Sequence, residues 1–150
     1  MLCHLSYVGD APTPDSICCI LDASLMARID EVLAHARVRL KRLQPEEAAA
    51  ELERGALLVD TRTDTQRSTQ GEIPGALVID RTVLEWRLDP TSPHRIAEAV
   101  DERVRVMVIC AEGYSSSLAA TSLQDIGLLN ATDVIGGFEA WNAAGLPVKR

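Results

Sequence analysis

An α/β fold with a mainly parallel central sheet is what this 150-residue sequence predicts, and three observations carry the prediction. Short apolar runs recur at 56–60, 76–80, 104–110 and 132–135. They are apolar almost throughout rather than alternating, as strands buried on both faces are. Stretches with helical start and stop signals separate them, so strand and helix take turns along the chain. Three of the runs end in a chemically capable side chain: Asp60, Asp80 and Cys110. Ligands gather at the carboxyl ends of strands in such folds, which makes that edge the expected place for chemistry.

The elements follow in order. Residues 1–25 contain no Lys or Arg, hold Cys3, Cys18 and Cys19, and are broken by Pro12 and Pro14. They read as a weakly patterned extension, poorly ordered and dispensable, with Met26 as an alternative start; the Cys18-Cys19 pair as a redox partner of Cys110 is the disfavoured reading. Residues 26–43 predict an extra N-terminal helix, because Ile29, Val32, Leu33, Ala36, Leu40 and Leu43 recur at helical spacing. Its acids come early and its bases late, as the helix dipole favours. The basic cluster at 37–42 is taken as a solvated helix end rather than an anion-binding patch. Pro45 opens a second helix that Gly55 closes. After the strand at 56–60, the turn-rich Gly71-Glu-Ile-Pro-Gly-Ala76 leads into the run at 76–80. Short helices are expected at 82–88 and 94–102, the latter started by Pro93. The run at 104–110, a helix at 116–126 closed by Gly127, the run at 132–135, and a last helix through Trp141 complete the chain. The domain is assigned to 44–150.

Composition narrows the function. A length of 150 residues with 47% apolar content is enough for one self-sufficient core. A net charge of −7 and 3% aromatic residues argue against nucleic-acid binding, since neither a basic stripe nor stacking platforms are available. There is no C-x-x-C pair, and His4, His35 and His94 do not fall at zinc-finger spacing, so no metal site is expected. The cysteines do not resemble a secreted disulfide framework, and no signal-peptide pattern or membrane-length apolar run occurs. A cytoplasmic protein without membrane association is the expectation.

The most informative residue is Cys110. It ends a β-branched apolar run and precedes Ala111-Glu112-Gly113-Tyr114-Ser115-Ser116, which runs into an alanine-rich helix. A buried core cysteine would sit inside the run, not at its end. A thiol at a helix N-terminus is acidified by unpaired N–H groups and the helix dipole, lowering a pKa of about 8.5 toward roughly 3.5–7.5. Gly113 permits the turn, successive loop N–H groups can form an anion nest, and Ser115 or Ser116 can cap the helix.

These segments together resemble the rhodanese (sulfurtransferase-like) family over most of residues 45–150. Leu58-Val-Asp60-Thr-Arg62 is similar to its strand and Asp-x-Arg. Gly71-Glu-Ile-Pro-Gly-Ala76 is similar to its Gly-His-Ile-Pro-Gly-Ala, and Cys110–Ser116 to its Cys-x-x-Gly-x-Arg-Ser loop. Gly136-Gly-Phe-Glu-Ala-Trp141 through Gly145-Leu-Pro147-Val resembles its closing signature. The resemblance implies a rhodanese-like fold and a sulfurtransferase. Cys110 would take sulfur from thiosulfate or a persulfide or polysulfide as a persulfide, cradled by residues 111–116, and pass it to a thiol or protein acceptor without a cofactor. The alternative is a non-turnover persulfide carrier or sulfur-sensing module. A cysteine phosphatase is disfavoured, because residues 111–117 hold no Arg for a phosphate dianion.

Two departures bear on substrate. Ser115 stands where the family often has Arg, and Glu112 adds a negative charge beside the nucleophile. Both predict a raised thiolate pKa and weaker use of thiosulfate unless Arg62, Arg67 or Arg87 reaches the pocket. Arg62, Arg67 and Trp86 are the candidate pocket contributors, although Asp60-x-Arg62 reads better as an internal ion pair. Trp141 is assigned to the core and His94 to the surface. A monomer and a homodimer through the N-terminal helix both fit the pattern.

Overall fold

The computed structural model of the protein describes residues 27–150. The extension expected at 1–25, its cysteine pair and Met26 lie outside the described residues. The described residues fall into two units, divided after His35. The first includes residues 28–35 of helix α1 (Arg28–Arg39), which carries Asp30 and Glu31 in its first turn and Arg37 and Arg39 in its last. That charge order complements the helix dipole.

The second unit is built on a four-stranded sheet, parallel throughout. Its strands are β1 (Leu57–Asp60), β2 (Leu77–Val78), β3 (Val106–Ile109) and β4 (Thr132–Asp133), in the order β2-β1-β3-β4. Leu57 lies opposite Val106 and Asp60 opposite Ile109, so the two longest strands end level with each other. Leu43 extends the sheet by a parallel bridge to Val134. The chain moves outward from β1 to β2, then crosses back to place β3 on the other side of β1. That reversal opens a crevice between the carboxyl ends of β1 and β3.

Alternate residues of a strand face opposite sides, and the cores obey that period. Val106 and Val108 pack with Leu84, Leu88, Ala119, Ala120 and Leu123. Those residues belong to α4 (Leu84–Leu88) and α5 (Ser115–Asp125). Met107 and Ile109 pack on the other face with Ala48 of α2 (Pro45–Glu53) and with Phe138 and Trp141 of α6 (Gly137–Ala143). All four residues of β3 are buried, and each such side chain contributes roughly 1.5–3 kcal/mol through burial. Trp141 is buried in this layer as expected, with its indole N–H donating to the Pro147 carbonyl at 3.0 Å. No helix of the described residues is long and apolar enough to cross a membrane.

Three elements differ from expectation, the first being α1, which stops at Arg39 rather than running to residue 43 because Leu43 pairs with Val134 instead. Helix α3 (Asp64–Gln70) was not anticipated: it has no buried residue and therefore no apolar period. It is held by a capping box, in which Gln66 N–H donates to Thr63 Oγ1 at 3.2 Å and Thr63 N–H to Gln66 Oε1 at 3.0 Å. Conversely, 94–102 is a series of turns rather than a helix. Asp89, Ser92 and Asp101 each take a backbone N–H two residues on, at 2.9, 3.1 and 2.8 Å. Such side chains offer the backbone a local alternative to the helix.

Candidate active site

Cys110 follows β3 directly, at the crevice where the sheet order reverses, and the chain then turns through 111–114 into α5. The side chain is nearly buried, at 6% exposure. What makes the turn an anion cradle is the disposal of its carbonyl groups. The Cys110 carbonyl accepts from Phe138 N–H at 2.8 Å and the Ala111 carbonyl from Glu139 N–H at 3.0 Å. The Gly113 carbonyl accepts from the guanidiniums of Arg37 at 2.8 Å and Arg42 at 3.2 Å. With these oxygens held outward, N–H groups are left to face the sulfur, and Gly113 N–H donates to Cys110 Sγ at 3.2 Å.

Two glycines make this approach possible. Gly113 has φ +83° and Gly137 φ +60°, a region that side chains disfavour. A Cβ on Gly113 would stand 2.7 Å from Gly136 N, and one on Gly137 would stand 2.5 Å from the Cys110 carbonyl oxygen. The Gly136-Gly137 turn therefore lies backbone to backbone against the loop, which gives the closing signature a direct role at the site.

Burial pushes the Cys110 thiol up. The hydroxyls of Ser116 and Ser115, then the N–H groups of Ser116 and Gly113, outweigh it and leave the pKa below the ordinary thiol value. The direction is the opposite of what Glu112 alone would produce; that carboxylate stands on an exposed residue. The serines do not cap α5 as anticipated. The N-cap is Tyr114, without a side-chain cap bond, and the Ser116 hydroxyl instead donates to Asp133 Oδ2 at 2.8 Å. Ser117 donates to the same oxygen at 2.7 Å. Arg42 completes the group, its Nε and Nη2 reaching the two Asp133 oxygens at 2.8 and 3.1 Å. Asp133, Ser116 and Ser117 are all buried.

The basic cluster at 37–42 thus departs from the solvated reading. Arg39 and Lys41 stay exposed, but Arg37 and Arg42 turn inward onto the loop. Arg37 also donates to Ser117 Oγ at 3.2 Å and lies 5.5 Å over the Tyr114 ring. Sequence reasoning missed Arg37, Arg42, Ser117 and Asp133 as parts of the site. Helical spacing between residues 37 and 42 carried no sign of a loop some seventy positions away.

The remaining candidates separate. Ala111 and Gly113 form the turn itself, while Glu112 and Tyr114 are exposed on it. Arg62 is buried, and its guanidinium reaches Asp60 Oδ2 at 2.7 Å and the Gly71 carbonyl at 2.9 Å while lying 3.8 Å over the Phe138 ring. This is the internal ion pair that the Asp-x-Arg spacing suggested. Arg67 pairs with Asp64 and donates to the Arg62 carbonyl. It lines a cavity of about 500 Å³ with Thr63, Thr65, Val78 and Asp80, past the carboxyl ends of β1 and β2. Arg87 donates to the His94 carbonyl at 2.7 Å. Trp86 is exposed on α4, whose Leu84 and Leu88 enter the core. A second cavity of about 420 Å³ opens beside Ala56, Arg105 and Ala131, which precede β1, β3 and β4. That is the opposite edge of the sheet from Cys110, so the chemistry is assigned to the thiol and not to that opening. Among the described residues no cluster of three His, Cys, Asp or Glu could hold a metal ion.

Comparison with known proteins agrees with the geometry. The profile of the rhodanese-like domain matches residues 44–144. The chain belongs to the rhodanese-like domain family. A thiosulfate sulfurtransferase GlpE of Pseudomonas savastanoi pv. phaseolicola is 36% identical over 106 residues, covering 69% of this chain and 88% of that relative. GlpE of Haemophilus influenzae is 32% identical over 108 residues, covering 72% and 93%. Among solved structures, a Rhodopseudomonas palustris protein of unknown function, described as a possible tyrosine phosphatase, superposes with a TM-score of 0.74. It is 31% identical, with 83% of this chain and 96% of that one covered. Arg37 and Arg42 lie ahead of the matched segment, so the loop is braced by side chains from outside residues 44–144.

Proposed function

We propose that this rhodanese-like domain is a sulfurtransferase that carries one sulfane sulfur on Cys110. The observation that carries the reading is the loop in which the Cys110, Ala111 and Gly113 carbonyls are bound from outside while Gly113 N–H meets the sulfur. Such a cradle stabilises a thiolate, and equally the terminal sulfur of a persulfide, which bears the same charge one atom further out. With thiosulfate as donor, the Cys110 thiolate attacks the outer sulfur. A new S–S bond forms, the bond to the sulfonate sulfur breaks, and sulfite leaves with the electron pair. A nucleophilic acceptor then attacks the terminal sulfur and the Cys110 thiolate departs. Cyanide gives thiocyanate, and a thiolate gives an acceptor persulfide. Charge balances at each step and the chain's own groups suffice, as in other covalent catalysis by an activated thiol.

A non-turnover persulfide carrier is the second reading, favoured by Ser115 in place of a loop arginine and by Glu112 at its rim. Both residues also lead us to expect faster loading from an uncharged or polymeric sulfane donor than from the thiosulfate dianion. The test incubates the protein and Cys110→Ser with thiosulfate or polysulfide and follows the Cys110 peptide by mass, before and after cyanide. Gain of one sulfur by the parent alone, discharged by cyanide and regenerated over many cycles, supports the transferase. Gain without repeated turnover moves the assignment to the carrier. Absence of gain from both donors, or aryl phosphate hydrolysis that needs Cys110, would refute sulfur transfer. We expect no such hydrolysis, because Arg37 and Arg42 bind the carbonyl side of the turn rather than the side facing the sulfur.

A further inference from the structure

We propose that Arg37 and Arg42 are positioning residues that set the acidity of Cys110 by clamping the Gly113–Tyr114 peptide from behind. The proposal extends the sulfur-transfer reading, but its central measurement does not need sulfur transfer. Both guanidiniums bind a single oxygen, the Gly113 carbonyl, at 2.8 and 3.2 Å. A planar trans peptide sets its C=O and N–H in opposite directions. Fixing that oxygen toward the arginines therefore turns the Tyr114 N–H away from them. A carbonyl that accepts from two cations also polarises its peptide, which strengthens the N–H as a donor. The same glycine supplies the N–H that meets Cys110 Sγ at 3.2 Å, so the clamp grips the residue that touches the sulfur.

Arg42 has a second effect. It binds both oxygens of Asp133, the buried carboxylate that receives the hydroxyls of Ser116 and Ser117. A serine hydroxyl has one hydrogen to give. Ser116 can donate to Asp133 or to the thiolate, not to both at full strength. The side chain of Asp133 is 0% exposed, so Arg42 is what offsets its charge and weakens its hold on that hydrogen. The positive charge absent from position 115 is thus supplied behind the loop, where it favours a thiolate in the cradle without occupying the donor's path.

The test is the pH profile of Cys110 alkylation by iodoacetamide in the full chain, followed on the Cys110 peptide by mass spectrometry. Arg37→Gln should shift the midpoint upward by about one pH unit, slowing alkylation roughly tenfold at a pH below both midpoints. Arg37→Lys should recover part of the shift, since it restores the charge but not the fork. Arg42→Met alone leaves Asp133 buried without its cation and risks unfolding. It is therefore paired with Asp133→Asn, and circular dichroism confirms the fold. Unchanged midpoints in Arg37→Gln and in the folded double variant would reduce both arginines to structural braces and overturn the proposal. If the midpoints shift while the parent never loads sulfur, the clamp stands and the sulfur-transfer reading falls. If the parent loads sulfur and the midpoints do not move, the reverse holds.

Discussion

At Cys110 the balance between burial and hydrogen bonding gives folding a defined pH dependence. The folded thiol is more acidic than an ordinary one, so between its lowered pKa and the unfolded value of about 8.5 the folded chain binds fewer protons than the unfolded chain. Stability from this group therefore rises with pH across that window. It is complete above about pH 8.5 and is lost as pH falls through the folded pKa. Subtracting Cys110→Ser from the parent in urea unfolding under reducing conditions isolates the contribution, because the other thiols cancel. The difference should climb with pH and level off on both sides. A flat or falling difference would mean that the cradle does not favour the thiolate.

Among the elements, α6 does the most for the site, and its first residue shows why. Gly137→Ala meets the cost of a left-handed side chain, about 1–2 kcal/mol, and also places a Cβ against the Cys110 carbonyl. Gly145→Ala is the matched control, with φ +72° and nothing within 4 Å of its added Cβ. We expect both variants to lower the urea midpoint, but only Gly137→Ala to slow Cys110 alkylation. Equal alkylation rates would show that the turn at 136–137 is not what shapes the loop. The elements that packing decides were legible in the sequence: β1, β3, α5 and α6 each bury an apolar run or stripe. Those decided by polar local bonds were not. The Thr63 and Gln66 spacing was the available sign of α3, and the Asp89, Ser92 and Asp101 turns explain the missing helix at 94–102.

Across the whole molecule, Arg62 links the end of β1 to the 71–76 loop and to α6 by one side chain that is 0% exposed. Arg62→Met should cost about 3–5 kcal/mol, because it strands the buried Asp60 carboxylate without a cation. Asp60→Asn with Arg62→Met should recover much of that loss in urea unfolding, and a single variant as stable as the parent would contradict the account. How much of the site was legible follows from the same long-range wiring. Cys110, Gly113 and the two serines announce themselves within seven residues of sequence. The groups that hold the loop from behind come from residues 37, 42, 133, 138 and 139, whose relation to it exists only after folding. That arrangement has a consequence for a chain made from its N-terminus. When Cys110 is added to the growing chain, the donors at Phe138 and Glu139 have yet to be translated, so the nascent thiol has the modest reactivity of any free cysteine. Chemical competence is acquired only once the C-terminal turn docks, which spares an unfinished polypeptide from carrying a sulfur primed to react with the wrong partner.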